Sequence, residues 1–345
     1  MFLRRRRERT LPAVSDAFPA LQTRERLMSD LKAASGKWIS GRLLGERLSV
    51  SRSAVWKQVC ALKEEGYIIE SSPRKGYRLR ELPDLLLVRE IRDGLATRVL
   101  GRKEVRYERR TDSTNRIARE LALQGAPEGT VVVAEEQTQG RGRMDRSWFS
   151  PPRLGIYASL ILRPSLPPAE APRMTLLSSV AVAEALLAQT SLDVRIKWPN
   201  DILVKGRKIA GILTEISTGM DAVEYMVVGL GVNVNIPAED FPQEIRRQAT
   251  SILAETGLPF ARAALLRGLL EAYERQYDIF RTSGFGPVMR RWKTLTDMMG
   301  RRILVRTAGR QHVGEVLDFD PEGFLILRDD RGESVRIFSG DVTLL

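Results

Sequence analysis

Glu135-Glu136-Gln137-Thr138-Gln139-Gly140-Arg141-Gly142-Arg143-Met144-Asp145-Arg146-Ser147-Trp148-Phe149-Ser150-Pro151 is the stretch on which the reading of this 345-residue chain turns. It follows Thr130-Val131-Val132-Val133-Ala134, a β-branched run of the kind that forms a buried strand. Within it, glycines alternate with arginines. Glycine lets a ligand come close to the backbone, and arginine presents a planar fork of donors that fits carboxylate or phosphate. A strand that runs out into such a loop is a candidate anion site. A merely solvated basic loop has little use for two adjacent aromatics, so Trp148 and Phe149 are read as a cover for something flat.

Outside this loop, composition sets the bounds. At 43% hydrophobic and 28% charged, the chain has an ordinary globular balance. No run is expected to reach the roughly 18 apolar residues of a membrane span. One cysteine, Cys60, excludes an intrachain disulfide framework, and one histidine, His312, argues against a zinc cluster or a Ser-His-Asp triad. Chemistry must come from Lys, Arg, carboxylates and backbone amides. The net charge of +12 is concentrated at the front: residues 1–82 hold 18 Lys and Arg against 9 Asp and Glu. Nucleic acid is the partner this asymmetry suggests.

Residues 1–20, with the run Arg4-Arg5-Arg6-Arg7, read as a disordered basic extension. Residues 21–83 read as a winged helix-turn-helix. Leu27, Leu31 and Ala34 mark one face of a first helix, and Leu43, Leu44 and Leu48 mark a short second helix. Ser51 caps a third helix whose Val55, Val59 and Leu62 face the core. Arg52, Ser53 and Lys57 then point outward, where a recognition helix meets DNA. Two short strands around Pro73-Arg74-Lys75 make a wing with a basic tip. Trp56 fits a core place or a contact equally, and Cys60 reads as a small buried hydrophobe.

Pro83-Asp84 is a linker, and a helix is expected over Leu85–Leu95. Residues 84–295 mix strands and helices. Thr111-Asp112-Ser113-Thr114-Asn115 reads as the capping start of a helix. Ile156, Ala158, Leu160 and Leu162 share one strand face, and Leu176, Val180, Ala183 and Leu187 form a helical stripe after Pro172. Lys208 stands just before the apolar run Ile209–Leu213, a costly place for a lysine unless it meets an anion. Val227–Asn235 has a Gly-x-Gly start without a third glycine, so it reads as a central strand with small residues where a ligand packs close rather than a dinucleotide fingerprint, and the chain has no P-loop. Helices are expected over 258–293. Residues 296–345, with glycine-marked turns about every ten residues, read as a small barrel.

Four segments, in order, carry a resemblance: the glycine- and arginine-rich loop, Lys197-Trp198-Pro199-Asn200-Asp201-Ile202, Gly206-Arg207-Lys208-Ile209-Ala210-Gly211-Ile212-Leu213-Thr214-Glu215, and Val228-Gly229-Leu230-Gly231-Val232-Asn233-Val234-Asn235. Together they resemble the biotin protein ligases of the bifunctional ligase and biotin operon repressor kind. The resemblance implies an α+β multidomain protein: a winged helix-turn-helix, a central mixed α/β domain of the class II synthetase type, and an SH3-like β-barrel. It implies activation of biotin with ATP and Mg²⁺ to biotinyl-5′-adenylate, then transfer to a lysine of the biotin carboxyl carrier protein of acetyl-CoA carboxylase. It also implies repression at operator DNA by an adenylate-bound homodimer, in the cytoplasm and without a membrane partner. Two alternatives stand beside it: a ligase whose DNA-binding module does not regulate, and a ligand-sensing regulator without transfer activity.

On the same resemblance, Lys208, Arg143 and Lys197 are the catalytic candidates. Ser113, Thr114, Asn115, Gln137, Arg141, Gly142, Arg143, Lys208 and Gly211 are assigned to biotin. Arg143, Arg146, Trp148, Asn200, Lys208 and Asn233 are assigned to the nucleotide. Arg52, Ser53, Lys57, Arg74 and Lys75 are the DNA-binding candidates. No metal ligands are identified. One departure from the family pattern is Met144-Asp145, where a glycine often follows a basic or apolar residue. Asp145 is expected to pair with Arg146 or Arg143.

Overall fold

The computed structural model describes residues 14–219, 222–307 and 309–345. The chain divides into two compact units, Met1–Asp84 and Leu85–Leu345.

The first unit contains α1 (Val14–Ala33), α2 (Gly41–Leu48), α3 (Arg52–Glu64) and the antiparallel hairpin β1 (Ile68–Ser72) and β2 (Gly76–Glu81). Ser40 and Ser51 cap α2 and α3: each hydroxyl accepts the amide three residues on, from Leu43 and Ala54, at 3.1 Å. Leu27, Leu31, Leu44, Leu48, Val55, Val59 and Leu62 close the core, with Tyr67, Ile69 and Leu79 from the hairpin. Leu43 is 39% exposed, because its neighbour Leu44 takes the inward position on a two-turn helix. Two expectations are corrected. Cys60 is only half-buried, since the inward stripe of α3 runs through Val59 instead. And α1 starts at Val14, inside the stretch read as a disordered extension. Residues 1–13 of the expected extension lie outside the described residues.

In the second unit, the expected helix over 85–95 shrinks to α4 (Val88–Arg92), with Leu85 and Leu86 buried ahead of it. There follow β3 (Val105–Glu108), α5 (Thr114–Leu123), β4 (Val131–Ala134), β5 (Gly155–Leu162), α6 (Ala171–Gln189), β6 (Val194–Lys197), β7 (Asp201–Val204), β8 (Arg207–Thr218) and β9 (Val223–Asn233). The strands form one seven-stranded sheet in the order β3-β4-β5-β9-β8-β7-β6, antiparallel except for the β3–β4 pair.

Side chains alternate across this sheet as strand geometry requires. Val131, Val133 and the predicted row Ile156, Ala158, Leu160 and Leu162 join the core under α6. Val132, Ile161 and Val227 lie on the other face with Ala118 and Ala122 of α5. Both faces are covered, so β4 and β5 are buried throughout. Pro168–Gln189 is long and apolar enough to cross a membrane by length and composition, against the sequence expectation. Its most apolar window is 67% buried within the unit. A core helix enclosed by its neighbours is apolar all round for that reason.

Beyond α7 (Ile252–Thr256), the predicted helical stretch splits at Gly284 into α8 (Arg262–Ser283) and α9 (Phe285–Leu295). The tail forms β10 (Arg302–Thr307), β11 (Arg310–Phe319), β12 (Leu325–Asp329), β13 (Ser334–Ile337) and β14 (Asp341–Leu344), an antiparallel sheet ordered β13-β12-β11-β10-β14. It shares the core of the larger sheet: Trp292 and Phe319 rings lie 4.5 Å apart, and the Trp198 indole donates to the Gly323 carbonyl at 3.0 Å.

Candidate active site

The glycine-rich loop leaves β4 from a buried anchor. The Glu135 carboxylate accepts the Leu86 amide at 2.7 Å and pairs with the fully buried Arg262 at 2.8 Å; Arg262 also donates to the Gly155 carbonyl. Past this anchor the loop folds back on itself. The amides of Gly142 and Trp148 donate to Arg146 O at 2.7 Å and Gly140 O at 2.8 Å. Met144 and Asp145 sit at the tip with φ of 54° and 56°. Both residues of a tight hairpin turn take positive φ in this geometry, which glycine, asparagine and aspartate accept best. Asp145 has no ion pair among the described residues: the expected partners are engaged elsewhere.

Trp148 ends the hairpin and lies flat on the sheet. Gly211 of β8 and Gly231 of β9 are directly opposed in register. A Cβ at Gly231 would fall 2.5 Å from the indole, and one at Gly211 would fall 3.0 Å from it. Only a pair of glycines leaves room for the ring. Its Nε1 is buried without a hydrogen-bond partner among the described residues.

Beside the indole is a cluster of charge. Lys208 Nζ lies 5.3 Å from the Trp148 ring centroid and 2.5 Å from Asp201 Oδ1. Lys197 Nζ reaches Asp201 Oδ2 at 3.1 Å and the Val342 carbonyl at 3.2 Å. Burial pushes the Asp201 carboxyl up, but the two ammonium groups, Lys208 first, outweigh it and hold it below the usual carboxylate range. Arg143 donates to Asn200 Oδ1 and to Ser339 Oγ, both at 3.1 Å. Burial pulls its guanidinium below the ordinary value, yet an arginine stays charged. Arg146 pairs with Asp341, which holds its own value up.

The floor is polar. Gln137 Oε1 accepts the Thr114 amide at 2.9 Å and the Thr114 hydroxyl at 3.1 Å, while its Nε2 donates to Ser150. Ser113 stands at the N-cap of α5 without a side-chain capping bond; Asp112 accepts its amide instead. Asn115 Oδ1 accepts from Ser159 at 2.6 Å, and Asn115 Nδ2 donates to Glu215 at 2.7 Å.

All nine residues assigned to biotin line one cavity, and so do Trp148 and Asn200. The cavity is about 50 Å³, far below the roughly 300 Å³ of a preformed ligand pocket. The Trp148 indole takes up part of the space over Gly211 and Gly231. Three assigned residues do not line it. Lys197 stands behind Asp201, Arg146 is turned to Asp341, and Asn233 is buried with its amide on the Thr250 carbonyl at 2.9 Å. Asp201 and Ser159 were missed as site features, and so was the pairing of Gly211, assigned to biotin, with Gly231 across the sheet. Asp201 had a signal, because two lysines at neighbouring strand ends call for a carboxylate between them.

In the smaller unit, the DNA-binding candidates fall into two exposed groups: Arg52, Ser53 and Lys57 on α3, and Arg74 and Lys75 at the β1–β2 turn.

Comparison with known proteins fits this geometry. Residues 107–233 match the biotin/lipoate A/B protein ligase family, residues 23–78 an HTH domain, and residues 299–345 the biotin protein ligase C terminal domain. The bifunctional ligase/repressor BirA of Bacillus subtilis (strain 168) is 40% identical over 321 residues, covering 93% of this chain and 98% of the relative. BirA of Escherichia coli (strain K12) is 31% identical over 300 residues, covering 86% and 90%. Among solved structures, the biotin protein ligase from Aquifex aeolicus in complex with biotin and ATP superposes with a TM-score of 0.61 at 27% identity, over 70% of this chain and 99% of that one. The chain belongs to the bifunctional ligase/repressor family of biotin protein ligases.

Proposed function

We propose that this chain activates biotin with ATP, passes it to a lysine of a biotin carrier protein, and represses transcription through its winged helix-turn-helix. The observation that carries the reading is the meeting of Arg143, from the loop, with Lys208, from β8, over the Thr114–Gln137 floor. In the first step a biotin carboxylate oxygen bonds to the α-phosphorus of ATP, and the bond to the leaving pyrophosphate breaks. In the second, the carrier's lysine amine bonds to the acyl carbon, loses a proton, and AMP leaves. Both steps build negative charge on oxygen. Fixed cations aimed at that charge lower the barrier, and do so most in a site shielded from water. Arg143 and Lys208 fill this role, and Asp201 holds Lys208 and Lys197 in place until an anion arrives.

Ser113, Thr114 and Gln137 face the ureido ring of biotin, with Arg141, Gly142 and Gly211 around the rest of the molecule. Arg146, Trp148, Asn200 and Asn233 serve the nucleotide. For the ligands to enter, the indole leaves its glycine platform and covers the adenylate from outside. Its unpartnered N–H favours that exchange, because an unmade buried hydrogen bond costs about 1–3 kcal/mol.

Mg²⁺ would accompany the phosphates of ATP. The described residues hold no group of three or more His, Cys, Asp or Glu fit to bind a resident ion, and the one carboxylate in the cluster is paired with two lysines. No step here is assigned to metal ligands of this chain. The carrier protein of acetyl-CoA carboxylase as acceptor, the adenylate-bound homodimer as the repressing species, and a cytoplasmic location without a membrane partner belong to the same proposal.

The test is incubation with labelled biotin, ATP and a purified biotin carrier domain. Label on the carrier lysine, with release of AMP and pyrophosphate, is the expected result. Calorimetry that detects no biotin binding in the presence of ATP sinks the reading.

A further inference from the structure

Residues three and four apart share a helix face, so Arg52 and Trp56 stand together on the outward side of α3, with Ser53 and Lys57 beside them. Trp56 is 57% exposed, which removes it from the core. It borders a cleft of about 590 Å³ between the start of α2, α3 and the β1–β2 turn. Arg42, Arg52, Arg74, Ser72 and Tyr77 line the same cleft. Arg42 faces Glu46 at 3.5 Å, while Arg52 and Arg74 have no ion pair among the described residues. An indole left in water is surrounded by unspent positive charge.

That combination narrows the partner. The guanidinium groups call for phosphates, and the indole calls for an apolar surface lying between them. Duplex DNA has both. In the major groove, the 5-methyl of thymine is the apolar group on the base edges. Trp56 lies one turn after Arg52, in the first half of α3, the part of a recognition helix that reaches bases. The geometry points to Trp56 as a sequence-reading residue: its indole packs on a thymine methyl group while Arg52 and Arg74 hold flanking phosphates. This rests on the reading of the smaller unit as a DNA-binding module.

The full chain, with biotin and ATP present, is used to select duplexes from a randomised pool. The enriched duplex is then titrated with each thymine replaced in turn by uracil, which lacks only the methyl. Wild type should lose about tenfold in affinity at one thymine per half-site. Trp56→Ala should lose a similar factor on the unmodified duplex and be indifferent to that uracil; Trp56→Phe should retain the sensitivity. The salt dependence of Trp56→Ala should keep the wild-type slope, whereas Arg52→Ala should lower it by about one. Thermal midpoint and oligomeric state should not change. Wild-type binding by Trp56→Ala, persistent sensitivity to the uracil, or a change in self-association overturns the proposal and leaves DNA binding intact. Failure of the wild-type chain to enrich any sequence removes the DNA-binding reading and this proposal with it.

Discussion

Replacing Lys208 with methionine separates its charge from its bulk. The aliphatic stem packs against Gly211, where an added Cβ would lie 3.0 Å from Lys208 Cε, and it passes over Trp148. Methionine keeps that contact and removes the ammonium group. Asp201 then loses its 2.5 Å partner but keeps Lys197 at 3.1 Å, so its carboxylate is not orphaned. The stability cost should therefore be about 1–2 kcal/mol, below the 3–5 kcal/mol of a broken buried pair. The barrier to adenylate formation should rise by about 3–4 kcal/mol, a loss of two to three orders of magnitude in kcat. Biotin-dependent exchange of pyrophosphate into ATP measures this step, with thermal unfolding as the check on folding. Exchange within threefold of wild type, in a folded protein, would refute the assignment of Lys208 to the phosphate and the argument from charge that led to it.

The buried Arg262–Glu135 pair gives a second test. Arg262→Met leaves a carboxylate with 2% exposure beside apolar neighbours, at a cost of about 3–5 kcal/mol, or on the order of 10 °C in thermal midpoint. Adding Glu135→Leu should restore only part of the loss, because it also removes the acceptor of the buried Leu86 amide, and a midpoint shift under 2 °C in the single variant would contradict the buried-charge argument. Asp145→Gly relaxes a positive-φ position at the loop tip and should slow adenylate release; equal off-rates in stopped-flow fluorescence make Asp145 a bystander. The hydrogen bond from Arg116 holds the Asp112 carboxyl at about 2, despite some desolvation. A depressed carboxyl stabilises the fold above its unfolded value near 4, and that contribution disappears as pH falls through about 2. Between pH 4 and 2, Asp112→Asn should therefore lose less thermal stability than wild type, and parallel curves would refute this.

Much of the central sheet was legible because its signals are local. Ile156–Leu162 alternates faces as its spacing implied, the β-branched run Val131–Val133 is a buried strand, and the glycine–arginine alternation pointed to the loop. The break at Gly284 was equally local and was overlooked. What stayed hidden depends on distant partners. Nothing near Trp148 says that Gly211 and Gly231 will lie under it. Asp201 becomes central only when β7 pairs with β8. Ser339, in the turn before β14, and Asp341, its first residue, reach Arg143 and Arg146 only across nearly 200 positions of chain.

Those last contacts change where one should look for damaging mutations. Arg143, Arg146 and Lys197 each lean on the turn before β14 or on β14 itself. A harmless-looking exchange at Ser339 or Asp341 should therefore behave as an exchange at the reacting centre. A survey confined to the matched catalytic stretch would miss the residues that hold Arg143, Arg146 and Lys197 in place.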